Sequence, residues 1–444
     1  MNIIIVGAGE VGSHIAHKLS RENDIVIVEK KPGKIKYISE HLDVGTVLGS
    51  GSNPAVLEEA GIKSAEMLIA VTDSDETNIL ACLVANFISP HISKAARIRN
   101  PEFIRYENLL GRSFLNIDLI INPELEAVKS ILKLLEVPGA SDVVDFAGEL
   151  VRIIGIKVDS EQLIGIKLKD LEQKVSHKLL IVAIVRNGQL IIPTGEDKIL
   201  LNDLIYVISK AEETHHILEI FGKETKPITK VLIVGGGIVG VTLAYELEKK
   251  SIQTKIIEKN PERCAYLVEK LGKTTVLEGN GTDLTILKEE NIQELDYVIS
   301  VTGQEEQNVM ISLLAKALGA KRTLTRINKT SYLPIISAIG LDNIVSPALS
   351  AVSALLKHMF QKKVLSVMPL GEDLQAIEVI ATTVSDMAEK PLKKLKFPKE
   401  TIVGAIVRNK NVIIPSGETM ILGGDRVIIF STTEAIPKVE KFWR

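Results

Sequence analysis

The sequence is poor in cysteine and has no long apolar run. Cys82 and Cys264 are its two cysteines, which are too few for a disulfide framework or a zinc cluster. Its longest apolar runs, such as 179–185 and 333–341, fall well short of the about 18 residues of a membrane helix. The opening segment MNIIIVGAGE has no basic stretch followed by a long apolar one, so we expect no signal peptide. These absences predict a cytoplasmic protein without a transmembrane segment of its own.

The sequence also lacks an excess of either charge and has few aromatic residues. Its 444 residues include 53 basic and 56 acidic side chains, for a formal net charge of −3. A nucleic-acid-binding protein needs a concentrated basic surface, so this balance argues against that class. Aromatic residues make up 4% of the chain. The core must therefore be built from Ile, Val and Leu, which is typical of buried parallel strands.

The chain contains a tandem duplication. Ile3–Leu19 aligns with Val231–Leu247, with eight of 17 positions identical. Ala183–Glu196 aligns with Ala405–Glu418, with ten of 14 positions identical, and the order of the matching segments is preserved. The period is much longer than the 20–50 residues of a solenoid, so each copy can hold its own core.

Each copy has two parts. The first alternates short Ile/Val-rich runs with helical patterns, which predicts a parallel α/β sheet. The second has short strands around turn signals such as Asn187-Gly188, which predicts a small, partly antiparallel α+β lobe. We place the parallel-sheet domains at 1–137 and 229–361, and the small lobes at 138–223 and 362–444. The predicted strands of the first copy are Asn2–Val6, Ile25–Glu29, Thr46–Leu48, Met67–Val71, Ala96–Arg99, Leu119–Ile121, Leu180–Arg186, Leu190–Ile192 and Leu204–Ile208.

A glycine-rich loop follows the first strand of each copy. The loops are Gly7, Ala8, Gly9, Glu10, Val11 and Gly12 in the first copy, and Gly235, Gly236, Gly237, Ile238, Val239 and Gly240 in the second. Such a loop permits a tight turn, lets the backbone approach a pyrophosphate, and presents a helix N-terminus to the phosphates. Both parallel-sheet domains are therefore predicted to be Rossmann-like. The alternative is that the glycines serve only strand–helix packing.

An acidic residue ends the second strand of each copy, at Glu29 and Glu258. A carboxylate at this position accepts hydrogen bonds from ribose hydroxyls and repels a 2′-phosphate, which favours NAD(H) or an adenosine nucleotide over NADP. Further candidates fall at the carboxyl edge of the predicted sheets, where ligands bind in open α/β folds. They are Gly49, Ser50, Thr72, Asp73 and Arg97 in the first copy, and Gly279, Asn280, Thr302, Gly303 and Arg326 in the second. Each arginine could pair with phosphate or form a salt bridge.

No catalytic constellation is evident. The sequence has no HExxH, CxxC, GxSxG or P-loop lysine motif, and a hydride-transfer enzyme would need a general acid or base in a substrate domain. Asp203 and Asp425 recur in the small lobes, where a turn role is favoured over metal ligation. The sequence therefore favours a binding protein, neither an enzyme nor a metalloprotein. An NAD-dependent oxidoreductase is the rival interpretation.

The order of these motifs resembles a known family. A glycine-loop domain with VT-D-DE-N at 71–78 and ARIRNPEF at 96–103 precedes a small IVRNGQLIIP lobe, and the arrangement is duplicated. This resembles the regulatory subunits of Trk-type potassium uptake systems, the TrkA family, which are built from tandem RCK domains. The resemblance covers essentially the whole chain.

The resemblance implies a function and a set of partners. It implies a homo-oligomeric cytoplasmic ring of RCK domains on the inner face of the cell membrane, which gates a potassium-translocating membrane subunit in response to NAD(H) or ATP/ADP. The loop, acid and sheet-edge residues named above would form its nucleotide sites. Ser50 and Asn280 stand where such domains often carry Asp. A soluble nucleotide sensor without a transporter partner is a further alternative.

Overall fold

The computed structural model describes residues 1–21, 23–100, 102–103, 116–159, 163–174, 178–332, 335–336, 339–341, 343–360, 366–370 and 374–443. Within these ranges, no helix combines the length and apolarity needed to cross a membrane. The chain folds into two compact units, one of 1–128, 327–330 and 345–358, the other of 129–326, 331–344 and 359–444.

The first copy opens with a six-stranded sheet in the order β3-β2-β1-β4-β5-β6. Its strands pair in parallel. The strands are Asn2–Val6 (β1), Asp24–Glu29 (β2), Gly45–Leu48 (β3), Met67–Ala70 (β4), Ser93–Arg97 (β5) and Leu119–Ile121 (β6). The helices are Glu10–Leu19 (α1), Pro32–His41 (α2), Pro54–Glu59 (α3), Asp75–Ile88 (α4) and Pro123–Glu136 (α5). The strand order reverses between β1 and β4, which is where open α/β sheets bind ligands.

The small lobe of the first copy is an antiparallel five-stranded sheet in the order β10-β9-β11-β8-β7. Its strands are Asp142–Phe146 (β7), Val151–Lys157 (β8), Leu180–Arg186 (β9), Gln189–Ile191 (β10) and Leu204–Lys210 (β11). Its helices are Leu168–Lys174 (α6) and Thr214–Ile220 (α7). The sequence predicted three of these strands and missed β7 and β8. Their hairpin turns through Ala147, Gly148 and Glu149, all at positive φ, and that run carries one glycine and none of the usual turn pairs.

The second copy repeats both sheets, which confirms the tandem duplication. Its parallel sheet has the order β14-β13-β12-β15-β16-β17, and its small lobe the order β18-β19-β22-β20-β21. The strands are Lys230–Val234 (β12), Gln253–Glu258 (β13), Thr275–Glu278 (β14), Tyr297–Ser300 (β15), Thr323–Arg326 (β16), Asn343–Val345 (β17), Ser366–Leu370 (β18), Leu374–Ile380 (β19), Thr401–Arg408 (β20), Asn411–Ile413 (β21) and Arg426–Thr432 (β22). The helices are Ile238–Lys249 (α8), Pro261–Lys270 (α9), Leu284–Glu289 (α10), Glu305–Ala317 (α11), Pro347–Phe360 (α12) and Ile436–Val439 (α13).

The strand predicted at Ala96–Arg99 corresponds to β5, which begins three residues earlier, at Ser93. Its ladder with β4 begins at Met67 and Ser93. The chain leaves the ladder after Arg97, because the backbone N–H groups of Arg99 and Asn100 donate to the Asp75 carboxylate instead, at 3.0 and 2.8 Å.

The two small lobes share a hydrophobic core inside the second compact unit. Tyr206 and Ile208 of β11 belong to the same buried cluster as Val407 of β20 and Phe430 of β22. The sheets approach closely there, since a Cβ built on Gly404 would lie 2.4 Å from the Phe430 ring and 3.1 Å from Ile208 Cδ1.

Candidate nucleotide-binding sites

The glycine loop of the first copy is shaped by two glycines that no other residue can replace without strain. Gly7 has φ +108°, and a Cβ built on it would lie 3.0 Å from the backbone of Thr72. A Cβ on Gly12 would lie 1.9 Å from the carbonyl oxygen of Gly7. The loop therefore passes directly between the end of β1, the end of β4 and the first turn of α1, as expected for a dinucleotide-binding loop.

Gly9 has a different role. It is the N-cap of α1, with extended backbone angles, and as a glycine it has no side chain to cap the first turn. A Cβ on Gly9 would meet no atom closer than Lys34 Nζ, at 4.0 Å. The space beside Gly9 at the positive end of α1 is therefore open, and a helix N-terminus of this kind is suited to bind phosphate.

The second copy reproduces this loop. Gly235 has φ +113°, and a Cβ on Gly240 would lie 1.9 Å from the carbonyl oxygen of Gly235. Gly237 is the N-cap of α8, again without a side-chain cap. Among the remaining loop residues, Ala8, Val11, Gly236 and Val239 are buried, whereas Glu10 and Ile238 are exposed.

The acid at the end of the second strand braces each loop. In the first copy, the Glu29 carboxylate accepts from Ala8 N at 2.9 Å and from Lys31 N at 2.9 Å. In the second, Glu258 accepts from Gly236 N at 2.7 Å and from Asn260 N at 2.9 Å. A carboxylate offers about four acceptor positions, so each acid keeps capacity for ribose hydroxyls.

The glycines after the third strand serve packing. A Cβ on Gly49 would lie 2.6 Å from Val56 Cγ2, and one on Gly279 would lie 2.4 Å from Ile286 Cδ1. Their neighbours bond within their own turns, since Ser50 Oγ lies 2.8 Å from Ser52 Oγ and Asn280 Oδ1 accepts from Thr282 N at 3.1 Å. These four residues lie at the carboxyl edge of the sheet, and their observed contacts shape the turn.

Two asparagines outside the set of candidate site residues connect the segment after the fourth strand to the end of the fifth strand. Thr72 donates to Asn78 Oδ1 from its backbone at 2.8 Å and from its hydroxyl at 2.7 Å, and Asn78 Nδ2 donates to the carbonyl oxygen of Arg97 at 2.9 Å. Asn308 makes the same three contacts with Thr302 and Arg326. Both asparagines are fully buried. Their recurrence six residues after the threonine in both copies was the available sequence signal.

Arg97 forms an ion pair in which several buried polar atoms lack hydrogen-bond partners. Its Nη2 lies 3.7 Å from Oε1 of Glu124, at the start of α5. Arg97 Nε, Glu124 Oε2 and Asp75 Oδ1 are buried without a hydrogen-bond partner. Burial lowers the pKa of the Arg97 guanidinium, and the Glu124 carboxylate opposes that shift. The second copy has Arg326, Ala348 and Glu305 at these positions, so the acid of the pair is particular to the first copy.

The position after Thr72 also differs between the copies. Asp73 accepts a hydrogen bond from Arg99 Nη2 on its backbone oxygen at 2.6 Å. Gly303 in the second copy has open space where a side chain would begin. No group of three or more His, Cys, Asp or Glu side chains within the described ranges is placed to hold a metal ion.

The small lobes carry a duplicated arginine clamp. Arg408 donates to both oxygens of Asp425 at 2.9 and 2.8 Å and to the carbonyl oxygen of Met420 at 2.8 Å. Asp425 also accepts from Leu422 N at 2.7 Å. Arg186 and Asp203 repeat these contacts. Both aspartates therefore fix turns, as the sequence favoured.

We expect Arg408→Met to lower the free energy of unfolding by about 3 kcal/mol, because it leaves the carboxylate of Asp425, 2% exposed, buried without its partner. Urea denaturation would measure the loss. The control is Lys393→Met, which removes an exposed ion pair with Glu418 in the same lobe and should cost about 1 kcal/mol or less. Equal costs for the two variants would contradict the structural role of the clamp.

Comparison with known proteins agrees with this architecture. The TrkA-N domain family matches residues 3–123 and 231–347, and the TrkA-C domain family matches 152–222 and 377–443. The Trk system potassium uptake protein TrkA homolog 1 of Methanosarcina mazei is 37% identical, with 100% of both chains covered. The Trk system potassium uptake protein TrkA of Halomonas elongata is 36% identical over 97% of this chain and 95% of that protein.

Solved structures show the same fold at lower identity. The GsuK RCK domain superposes with a TM-score of 0.62 at 20% identity, covering 99% of this chain and 94% of that one. The GsuK channel bound to NAD gives a TM-score of 0.62 at 18% identity, covering 99% and 78%. The matching domains are duplicated in tandem and the curated relatives align from end to end, so this chain belongs to the TrkA family of Trk potassium uptake system proteins.

Proposed function

We propose that this protein is the nucleotide-binding regulatory subunit of a potassium uptake system, and that it gates a membrane potassium-translocating subunit. The observation that carries the proposal is the pair of uncapped helix N-termini, at Gly9 and Gly237, each beside a braced ribose-type acid, in a chain of the TrkA family. The ligand is NAD(H) or ATP/ADP, as the acids at Glu29 and Glu258 favour.

A regulatory role is favoured over catalysis because the polar side chains around the loops hydrogen-bond to the backbone. Glu29, Glu258, Asn78 and Asn308 all bond to backbone groups that shape the sites. An NAD-dependent oxidoreductase would also need an acid or base aimed at a substrate. Oxidation of NADH by a small keto acid, or reduction of NAD by a small hydroxy acid, would favour that rival.

Assembly into a homo-oligomeric RCK ring is supported by exposed apolar residues at matching positions. Leu80 on α4 is 44% exposed and Met310 on α11 is 51% exposed, and each lies eight residues after the threonine that follows the fourth strand of its copy. Burying such residues between subunits is favourable. On this proposal the ring lies in the cytoplasm, against the inner face of the membrane and its translocating partner.

Gating requires that nucleotide bind the two ring geometries with different affinity, since equal affinity shifts no equilibrium. A coupling of about 1–3 kcal/mol between linked sites would be typical. The test is titration calorimetry of the full chain with NADH, NAD, ATP and ADP, followed by co-purification with the membrane subunit after mild solubilisation. Nucleotide binding without any membrane partner would favour a free-standing sensor.

Glu124→Gln should raise the affinity of the first copy for ADP about fivefold, which is about 1 kcal/mol, because neutralising the carboxylate releases Arg97 for phosphate. Calorimetry in a chain whose second site carries Gly237→Asp would measure it. Glu126→Gln changes the same charge two residues along α5 and serves as the control. Unchanged or weaker binding in Glu124→Gln would show that Arg97 does not meet the ligand.

A further inference from the structure

The two sites also differ in the cation at the third residue of the helix after the second strand. That residue is Lys34 on α2 and Arg263 on α9. Both side chains are half-buried. The helices start alike, each with a proline as its first residue, so the two cations start from equivalent backbone positions. Their charged ends lie at different points of the loop.

Lys34 lies over the phosphate position of the first copy. Its Nζ is 4.0 Å from a Cβ built on Gly9, the glycine whose backbone approaches a pyrophosphate in this kind of loop. A Cβ built on Gly237 meets nothing within 4 Å. The first copy therefore presents an ammonium group to the phosphates at a point where the second presents none.

Arg263 is held at the ribose end of the second copy. Its Nε donates to the carbonyl oxygen of Gly236 at 2.6 Å, and the N–H of the same Gly236 donates to the ribose-type acid Glu258. Its guanidinium lies 4.3 Å from the centre of the Tyr266 ring. One bond and one ring thus fix the plane of this cation beside the acid.

The guanidinium is suited to a flat partner. Its two terminal nitrogens have no hydrogen-bond or ion-pair partner among the residues that the structure describes. A phosphate at this position would come within reach of the Glu258 carboxylate, which repels it. A base has no such penalty, and a planar guanidinium stacks well on an aromatic face, whereas a lysine acts as a point charge.

We propose that the two sites select different parts of an adenine nucleotide. Lys34 binds the charged phosphates in the first copy, and Arg263 stacks on the adenine base in the second. This division rests on the proposed nucleotide-binding function. It makes the first copy sensitive to the number of phosphates and to salt, and the second copy sensitive to the base.

The test uses the full chain with one site blocked. Gly237→Asp blocks the second site, so that binding at the first copy can be measured, and Gly9→Asp blocks the first site for measurements at the second. The probes are ADP, measured by calorimetry, and inorganic pyrophosphate, measured by its displacement of a fluorescent ADP analogue. In the first copy, Lys34→Met should weaken both probes about tenfold and flatten the salt dependence, whereas Lys34→Arg keeps most of the affinity.

In the second copy, Arg263→Leu should weaken ADP about tenfold and leave pyrophosphate competition unchanged. Arg263→Lys keeps the charge and should not restore ADP binding. The division of roles would be overturned if Arg263→Leu weakened the binding of ADP and of pyrophosphate equally. It would also be overturned if Arg263→Leu or Lys34→Met left the affinity for both probes unchanged. If the blocked parent chains bind neither probe, the proposed function itself fails.

Discussion

Gly9→Asp should reduce nucleotide affinity at the first copy about 100-fold or more while leaving the fold intact. The new carboxylate would accept hydrogen bonds from the first turn of α1, the groups that otherwise bind phosphate, and its charge would repel the ligand. Gly9 has φ −84° and ψ −174°, which any residue adopts and which suits an aspartate N-cap. The free energy of unfolding should therefore stay the same or rise by a few tenths of a kcal/mol.

Titration calorimetry with ADP would show this as a fall in stoichiometry from two sites to one per chain. Gly237→Asp should remove the other site, and the double variant should bind none. Gly9→Asn is the matched control, because its side chain caps the helix without adding a charge. It should lose less nucleotide affinity than Gly9→Asp. Full binding at the first site in Gly9→Asp would contradict the assignment of the phosphate position.

Gly12→Ala should destabilise the first parallel-sheet domain by about 3 kcal/mol or more, although it adds a single methyl group. That carbon would lie 1.9 Å from the Gly7 carbonyl oxygen, and 3.3 Å from Val71 Cγ2. Neither strand nor helix can retreat without opening the core around β1, whose residues Ile3 to Val6 are at most 1% exposed. Gly240→Ala should have the same effect in the second copy.

Hydrogen exchange of the β1 amides in urea would measure this loss locally. Gly33→Ala is the control within α2, since a Cβ there meets nothing within 4 Å and should gain about 0.5–1 kcal/mol from lower backbone entropy. A Gly12→Ala protein with unchanged β1 protection would show that the loop is not packed as described.

The features that the sequence predicted well are those set by local contacts. The glycine loops, the acids at Glu29 and Glu258, and strands such as β1 and β9 depend on residues close together in the chain. The positive φ at Gly7 and the close approach of the Gly7 carbonyl oxygen to Gly12 admit no other residue. The motif can therefore be recognised from the local sequence alone. The parallel-sheet domains and the duplication followed directly from these signals.

The features that the sequence could not predict depend on distant partners. The hairpin of β7 and β8 turns through three residues at positive φ, two of them not glycine, because tertiary contacts hold it. One such contact is a 3.4 Å hydrogen bond from Ala147 N to the buried Glu378, 231 positions away. The pairing of Arg97 with Glu124 likewise depends on β5 and α5 meeting in the fold, so the arginine's role stayed open. The domain boundaries and the ligand contacts of the site residues remain predictions.

Nucleotide gating is tested most directly by potassium flux into vesicles that hold a Trk-type membrane subunit together with this protein. Flux should change when NADH, ADP or ATP is added to the wild-type complex. It should not respond to any of them in the Gly9→Asp/Gly237→Asp double variant, which should still bind the vesicles. A wild-type flux that ignores all three nucleotides, or a double variant that responds as the wild type does, would contradict nucleotide gating through these loops.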